Sequence, residues 1–225
     1  MDMFKRELAP LSSEAWTEIE NRAKEVLLSR LTARKVVNVN GPKGIDFTAI
    51  SEGRLTLVDD GDVKAGVYTA KPLTEARIRF SLNKWELDNL ARGAKDIDFD
   101  TLDAAIEKLA LFEERAIYDG YEKGGIKGLK ESSEHKALTF GKESSDILAS
   151  VTEGLILLKK SYVHGPYSLI VGKEGWITLN KEAHGQNLLE RVEKMLGSKV
   201  VYSPNIEGAL LLPYNSEDLE LTIGQ

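Results

Sequence analysis

The first 44 residues combine a helical pattern of apolar positions with a short extended one. Ser12 or Ser13 can cap a helix, and Glu14 is favourably placed in its first turn. Arg34 opens a β-rich stretch over 34–40, and the turn Gly41-Pro42-Lys43-Gly44 ends it. The pattern predicts a short strand after an amphipathic helix whose apolar stripe is Trp16, Ile19, Ala23, Val26, Leu27 and Leu31.

Residues 46–82 have an extended pattern interrupted by a polar tip, Asp59-Asp60-Gly61-Asp62. In the second half of this segment, after the tip, apolar and polar residues alternate cleanly, which is typical of a strand. Few apolar residues near the tip are available to be buried within the same domain. We therefore predict a long hairpin arm over 46–82 that needs a neighbouring chain. The alternating residues of its second strand are Ile78, Phe80 and Leu82 on one face, and Arg77, Arg79 and Ser81 on the other.

Helical periodicity returns after the arm. A short helix is predicted over 83–92 and a long one from Asp100 or Thr101 to Tyr121, ended by Gly124-Gly125. After Lys130, helices are predicted over 145–160, near Trp176 and over 186–196, with strands over 167–171, 200–202, 209–212 and 219–223. We expect two lobes of one subunit, divided near Leu129. The apolar stripe of the long helix is Leu102, Ala105, Ile106, Leu109, Phe112, Ala116 and Ile117.

Composition limits the classes of partner. The chain has 225 residues with a formal net charge of -6, and its charges are interleaved, so no basic face for nucleic acid is predicted. It contains no cysteine, which excludes disulfides and thiolate metal sites. We expect neither a secretory signal nor a membrane span, because no apolar run approaches the roughly 20 residues that a span requires. These features predict a cytoplasmic globular protein with neither nucleic acid nor membrane as a partner.

Motifs that carry catalytic chemistry are missing from the sequence. There is no GxSxG elbow and no HExxH pair, and Gly141-Lys142-Glu143-Ser144 is an incomplete phosphate loop. The histidines His135, His164 and His184 are far apart in the sequence. Glu113 lies inside the apolar stripe of the long helix, where a carboxylate paired at a subunit contact is favoured over a general acid. We predict no catalytic residue, no metal site and no enzymatic activity.

Several multi-residue motifs lie in order over nearly the whole chain. The N-terminal ones are Ala9-Pro10-Leu11, Trp16, Ile19, Ala23, Leu31, Arg34-Lys35, Val37, Val39 and Gly41-Pro42 with Gly44. Those that follow are Trp85-Glu86-Leu87-Asp88-Asn89-Leu90, Phe112-Glu113-Glu114, Ile117, Gly120, Gly125-Ile126, Gly128-Leu129, and Gly165-Pro166-Tyr167 with Leu169-Ile170-Val171. In order and spacing these motifs resemble those of the encapsulin shell proteins, the linocin-like family 1.

The resemblance implies an α+β fold of the tailed-phage major capsid type, the Hong Kong 97 fold. The N-terminal helix and strand (1–45) would belong to a peripheral domain, followed by the extended arm (46–82), the spine-helix part of that domain (83–129) and an axial domain (130–225). It further implies self-assembly into an icosahedral cage, which we expect to be T=1. The cage would enclose a peroxidase or a ferritin-like iron oxidase bound through a C-terminal targeting peptide, with roles in iron storage or oxidative stress.

The resemblance also implies candidate sites. Cargo docking is expected at Leu28 and Arg34, although Leu28 is equally well interpreted as a peripheral core or subunit-contact residue. A flavin would stack on Trp85 near Arg77, although Trp85 can instead anchor the base of the arm. No cofactor is required for a shell. A polar five-fold pore loop is expected over 181–189, where His184 is favoured as a solvated residue over a pH sensor. The pore residues are Lys181, Glu182, His184, Gln186 and Asn187.

One departure from the family pattern concerns the end of the chain. Encapsulins normally continue past the position of Gly224-Gln225 with a strand that returns to the peripheral domain. We expect a natural short form, a truncated or split form, or a variant whose missing strand comes from another chain, and each of these affects both cargo docking and assembly. The alternatives for function are a phage major capsid protein and a secreted bacteriocin or protease-like protein.

Overall fold

The computed structural model describes residues 5–183 and 186–225 and has mixed helix and sheet, as predicted. The helices are α1 Ser13–Arg30, α2 Lys84–Ala91, α3 Asp100–Tyr118, α4 Leu129–Ser132, α5 Ser144–Lys160, α6 Lys173–Leu179 and α7 Leu188–Leu196. The strands are β1 Asn38–Asn40, β2 Ala49–Asp60, β3 Val63–Pro72, β4 Tyr167–Val171, β5 Glu182–Ala183, β6 Gln186–Asn187, β7 Val200–Tyr202, β8 Ala209–Pro213 and β9 Glu220–Thr222.

Contacts within the chain divide it into two compact units. The first unit contains the chain up to Leu31 together with Ala76–Glu113, and the second contains Thr32–Glu75 and Glu114–Gln225. Helix α3 is continuous across the division between Glu113 and Glu114. The chain therefore passes between the units at three points, each of which joins consecutive residues.

The first unit is built from α1, α2 and the N-terminal part of α3. Ser12 caps α1 by accepting a hydrogen bond from the backbone N–H of Ala15 at 3.1 Å, and Asn83 caps α2 through the N–H of Trp85 at 2.9 Å. These caps confirm the predicted start of both helices. Their apolar faces meet in one core formed by Ala15, Ile19, Val26, Leu87, Phe99, Leu102 and Ile106.

The second unit holds a three-stranded sheet in the order β7-β4-β8. The central strand β4 is parallel to β7 and antiparallel to β8, and all five of its residues are buried. Helices α5, α6 and α7 contribute to the core that covers it, with Ile147, Leu179 and Val192 fully buried. The helices and strands predicted after residue 130 are confirmed, with small shifts: α7 begins at Leu188 rather than at residue 186.

A second, smaller pairing joins distant parts of the chain. Strand β1 pairs in parallel with β9, and hydrogen bonds extend the pairing to Gly44 N–H, which donates to the Gly224 carbonyl at 2.6 Å. The predicted strand over 34–40 is therefore shorter than expected, because residues Ala33–Lys35 form a 3-10 turn and only Asn38–Asn40 are extended. Asn40 and then Thr222 hydrogen-bond Glu220, which lowers the pKa of that carboxyl.

The hairpin arm is present but ends earlier than predicted. Its strands are β2 and β3, and the last ladder bond joins the Leu73 N–H to the Thr48 carbonyl at 2.8 Å. The expected strand through 82 is wrong: residues 73–83 form no strand in the structure. The segment that would have to pair with them is already used, because Lys43 and Gly44 bond to the C-terminal residues Ile223 and Gly224.

The long helix α3 also ends earlier than predicted, at Tyr118 rather than Tyr121. Gly120 follows with a φ of +93, a conformation that favours glycine, and its N–H donates to the Arg115 carbonyl at 3.1 Å. The chain then turns back, and Tyr121 and Ile126 exchange backbone hydrogen bonds. The glycine that terminates the helix is therefore Gly120, two residues after Tyr118, rather than the predicted Gly124-Gly125.

Candidate assembly and docking surfaces

The hairpin β2–β3 has exposed apolar side chains on both of its faces. Residues two apart on a strand share a face, and the register pairs Leu55 with Tyr68 and Val58 with Ala65. One face therefore carries Leu55, Leu57 and Tyr68, and the other carries Val58, Val63 and Val67. All of these residues are exposed, Leu57 by 81%. The prediction that few apolar residues lie near the tip is wrong, because Leu57, Val58 and Val63 are all exposed there and the arm is apolar on both sides.

The expected docking residues, Leu28 and Arg34, lie in different units. Leu28 is 63% exposed on α1, whereas its neighbour Leu27 packs against the core of the first unit. Leu28 is therefore not a core residue of the chain described here, which leaves docking or a subunit contact as its interpretation. Arg34 is half-buried in the 3-10 turn Ala33–Lys35 and already interacts with another group of the chain.

The expected pore segment forms a short hairpin in place of an open loop. Strands β5 and β6 pair with Ala183 opposite Gln186, and Lys181 is exposed just before them. Asn187 caps α7, because its side-chain oxygen accepts the Leu189 N–H at 3.0 Å. Asn187 thus has a structural role that was not predicted. His184 lies outside the described residues, and so do the side chains of Glu182 and Gln186.

Trp85 and Arg77 belong to the first unit. Trp85 is 74% exposed in the first turn of α2, so it is not buried at the base of the arm. An exposed indole offers the flat face on which an aromatic ring system stacks, so Trp85 fits the expected contact to a flavin. Arg77 is exposed and already interacts with another group of the chain. A phosphate contact from Arg77 would therefore have to compete with an existing interaction.

The buried carboxylate of α3 is Glu114 rather than Glu113. Glu113 is half-buried and interacts with another group of the chain, whereas Glu114 has no exposed surface. Its Oε1 accepts the backbone N–H groups of Thr32 and Ala33, both at 2.8 Å. The signal in the sequence is a stripe with a spacing of four residues, which the structure buries: Leu102, Ile106, Ala110, Glu114 and Tyr118.

Of the two histidines that the structure describes, His164 is exposed and His135 is half-buried. The Nε2 atom of His135 lies 3.2 Å from Ser161 Oγ, within the second unit. Over residues 5–183 and 186–225, no group of three or more potential ligand side chains is arranged to hold a metal ion. In the same part of the chain, no helix combines the length and apolar character needed to cross a membrane.

Comparison with known proteins gives matches over the whole chain. The profile of the Linocin_M18 family, described as encapsulating protein for peroxidase, matches residues 1–225. A type 1 encapsulin shell protein from Mycolicibacterium paratuberculosis is 33% identical over 227 residues, a match that covers 100% of this chain and 86% of the relative. Another, from Rhodospirillum rubrum, is 34% identical over 235 residues and covers 100% of this chain and 84% of the relative.

A solved structure shares the fold. The virus-like particle from Pyrococcus furiosus matches with a TM-score of 0.66 at 17% sequence identity, over 94% of this chain and 84% of that one. At this identity the likeness concerns the fold alone. It agrees with the predicted α+β capsid fold.

Proposed function

The chain belongs to the family of encapsulating proteins for peroxidase, and from that premise we propose that it closes into a T=1 icosahedral cage around a cargo enzyme. Its role is structural, because its relatives are named as shell proteins, and it is not an enzyme. The proposed cargo is a peroxidase or a ferritin-like iron oxidase that carries a C-terminal targeting peptide.

The observation that carries the proposal is the two-sided apolar hairpin. An antiparallel ribbon in a monomeric protein normally hides one face, whereas both faces of β2–β3 are exposed in the isolated chain. Fully burying one such side chain contributes about 1.5–3 kcal/mol, so six of them offer on the order of 10 kcal/mol for contacts with neighbouring subunits. A cage supplies a neighbour for every hairpin, because each subunit repeats the same contacts around closed symmetry axes.

Electron microscopy of the purified protein, together with its mass from light scattering, tests this function. Uniform hollow particles with the mass of 60 subunits are expected, since 60 is the number of positions of a T=1 icosahedral cage, about 1.5 MDa at 24.9 kDa per subunit. A monomer or small oligomer would favour the bacteriocin or protease-like alternative. Particles that package DNA beside a portal would favour a phage capsid protein.

We propose that Leu28 contributes to the docking surface for the cargo tail, because it is a large apolar residue exposed on a helix. The probe is a fluorescent protein fused to the C-terminal tail of a candidate cargo enzyme and co-expressed with the shell. Leu28→Asp is expected to lower its co-purification roughly tenfold, the effect of losing about 1.4 kcal/mol of apolar contact.

A matched control is Leu8→Asp, because Leu8 is also an exposed leucine of the first unit but lies outside α1. It should load cargo normally. Equal loading of parent and Leu28→Asp particles would remove Leu28 from the docking surface. Arg34→Gln, assayed in the same way, tests the second docking residue.

We also propose that the hairpin β5–β6 lines a pore for small molecules. Since Asn187 caps α7, the sharpest variant changes only Lys181 and His184 to serine and keeps Asn187. The expected result is intact particles through which a small anionic probe permeates several-fold more slowly, because the positive charge of Lys181 no longer attracts it. Lys160→Ser, an exposed lysine on α5, is the control, and an unchanged permeation rate in the double variant would show that the pore lies elsewhere.

We propose that a flavin binds on Trp85. Flavin absorbance that purifies with parent particles and is lost in Trp85→Ala particles would support this proposal, and parent particles without flavin would exclude it.

We also propose a location in the cytoplasm, which cell fractionation followed by detection of the shell tests.

A further inference from the structure

Glu114 is at the centre of a buried polar cluster inside the apolar core of the second unit. Thr32, Ser203 and Tyr118 are also buried, each with at most 2% of its surface exposed. The Thr32 hydroxyl lies in hydrogen-bond contact with Glu114 Oε2, 2.7 Å from the Tyr118 hydroxyl and 2.9 Å from Ser203 Oγ. Asn205 donates to the same carboxylate oxygen at 3.4 Å. The carboxylate therefore accepts hydrogen bonds from two separate segments of the chain, at Thr32–Ala33 and at Asn205.

The surroundings of this cluster are apolar. Tyr118 belongs to a core with Ala33, Val36, Ile117 and Ile206. Burial in this core raises the pKa of the Tyr118 hydroxyl, and the nearby charge of Glu114 is the second cause of the increase. The hydroxyl therefore stays a neutral hydrogen-bonding group. A carboxylate in such a core is costly unless donors satisfy it, and removing its partners leaves a large penalty. A core that had only to be filled would not need Glu114.

Glu114 is also the residue at which α3 passes into the second unit. Thr32, whose N–H it binds, is the residue at which the chain arrives in that unit from α1. One carboxylate thus ties together two of the three connections that the chain makes, on the side of the second unit.

We propose that Glu114 is a positioning residue for assembly. It clamps the connection at Thr32 and the connection at Glu114 to each other within the second unit, so that both connections begin with the same geometry in every subunit that joins the shell. The inference rests on the shell function proposed above. Two backbone N–H groups fix the direction of the 31–33 segment, which an apolar contact would leave free to shift. A subunit that has lost the clamp still folds, but its two connections begin with several different geometries. The particles that it forms therefore vary in size.

The test compares Glu114→Ala and Glu114→Gln with the parent in two measurements. The first is amide hydrogen exchange of the peptide that contains Thr32 and Ala33, and the second is the distribution of particle masses. Glu114→Ala should speed this exchange about a hundredfold and broaden the mass distribution. Glu114→Gln keeps an oxygen for both N–H groups but places an amide nitrogen towards Asn205, so an intermediate effect of about tenfold is expected.

Val192→Ala and Ile147→Ala are controls for general loss of stability, because both residues are fully buried in the separate core beneath the sheet. They should lower the thermal midpoint and leave the mass distribution narrow. The proposal is overturned if these controls broaden the masses as much as Glu114→Ala does, or if Glu114→Gln equals the parent in both measurements. The second outcome decides the matter even where Glu114→Ala does not fold.

Failure of the shell function is distinguishable from failure of the clamp. A parent protein that forms no particles contradicts the proposed function. The exchange measurement still judges the clamp in that case, because the hydrogen bonds that it reports lie within one chain.

Discussion

Deleting residues 55–68 should give a folded subunit that forms no closed particles. The deletion removes both apolar faces of the hairpin and leaves its base intact. Thr69 Oγ1 donates to the Arg54 carbonyl at 3.3 Å, so the two cut ends are neighbours and an Asn-Gly turn can join them. The side chains that are lost are exposed within the chain itself, so folding should be little affected while the subunit contacts disappear. Size-exclusion chromatography with light scattering measures the change from particle to subunit.

The two faces can be tested one at a time. Leu57→Asp places a charge on one face and Val58→Asp on the other, and each should weaken assembly roughly a hundredfold if both faces are covered by neighbours. The matched control is the opposed pair Asp59 and Lys64, both changed to serine, which alters the tip and leaves the apolar faces unchanged. Normal cages from the deletion variant would show that the shell closes without the hairpin.

Gly128→Ala should destabilise the subunit by about 3 kcal/mol, and by more if the backbone cannot shift, because Gly128 is buried against backbone. Gly128 has a φ of -75, a conformation that alanine adopts readily. A Cβ at this position would lie 2.3 Å from the Gly120 nitrogen and 2.4 Å from the carbonyl carbon of Asp119. Both atoms belong to the backbone at the end of α3, which has to move to make room.

Gly125→Ala in the same turn separates steric cost from conformational cost. Gly125 has a φ of +67 and no atom within 4 Å of the added Cβ, so only the left-handed backbone conformation opposes the substitution. That costs about 1–2 kcal/mol. Calorimetry should therefore show a fall in the midpoint of about 10 °C for Gly128→Ala and about 4 °C for Gly125→Ala. The reverse order would mean that the backbone of the turn shifts easily to make room for a Cβ. The close approach of the segments at Gly120 and Gly128 would then contribute little to the cost of the substitution.

Local patterns were sufficient for most of the secondary structure. Of the two candidate caps for the first helix, Ser12 and Ser13, the structure selects Ser12. The strands Tyr167–Val171 and Val200–Tyr202 were predicted correctly because each depends on a few adjacent residues. The family could be predicted for a similar reason, since its motifs are short and keep their order. The site residues Leu28, Trp85 and Lys181 came from that resemblance, and only their exposure is now established.

Two of the errors, the end of the arm and the choice of buried glutamate, share one cause, which is competition between segments that are distant in sequence. Residues 73–82 alternate like a strand, but their possible partner segment is bonded to Ile223 and Gly224. Glu113 and Glu114 are equivalent by composition, and one residue turns the side chain by about 100° around the helix. The donors Thr32 and Ala33, supplied more than 80 residues earlier, select Glu114.

The sequence by itself determined most of the helices and sheet strands and the family of this protein, because periodicity, caps and ordered motifs are properties of neighbouring residues. Only the tertiary structure decided where the arm ends, which faces of it are exposed and which glutamate is buried. Each of these depends on the segment that provides the other half of a hydrogen bond or a contact, and that segment is brought close only when the chain folds.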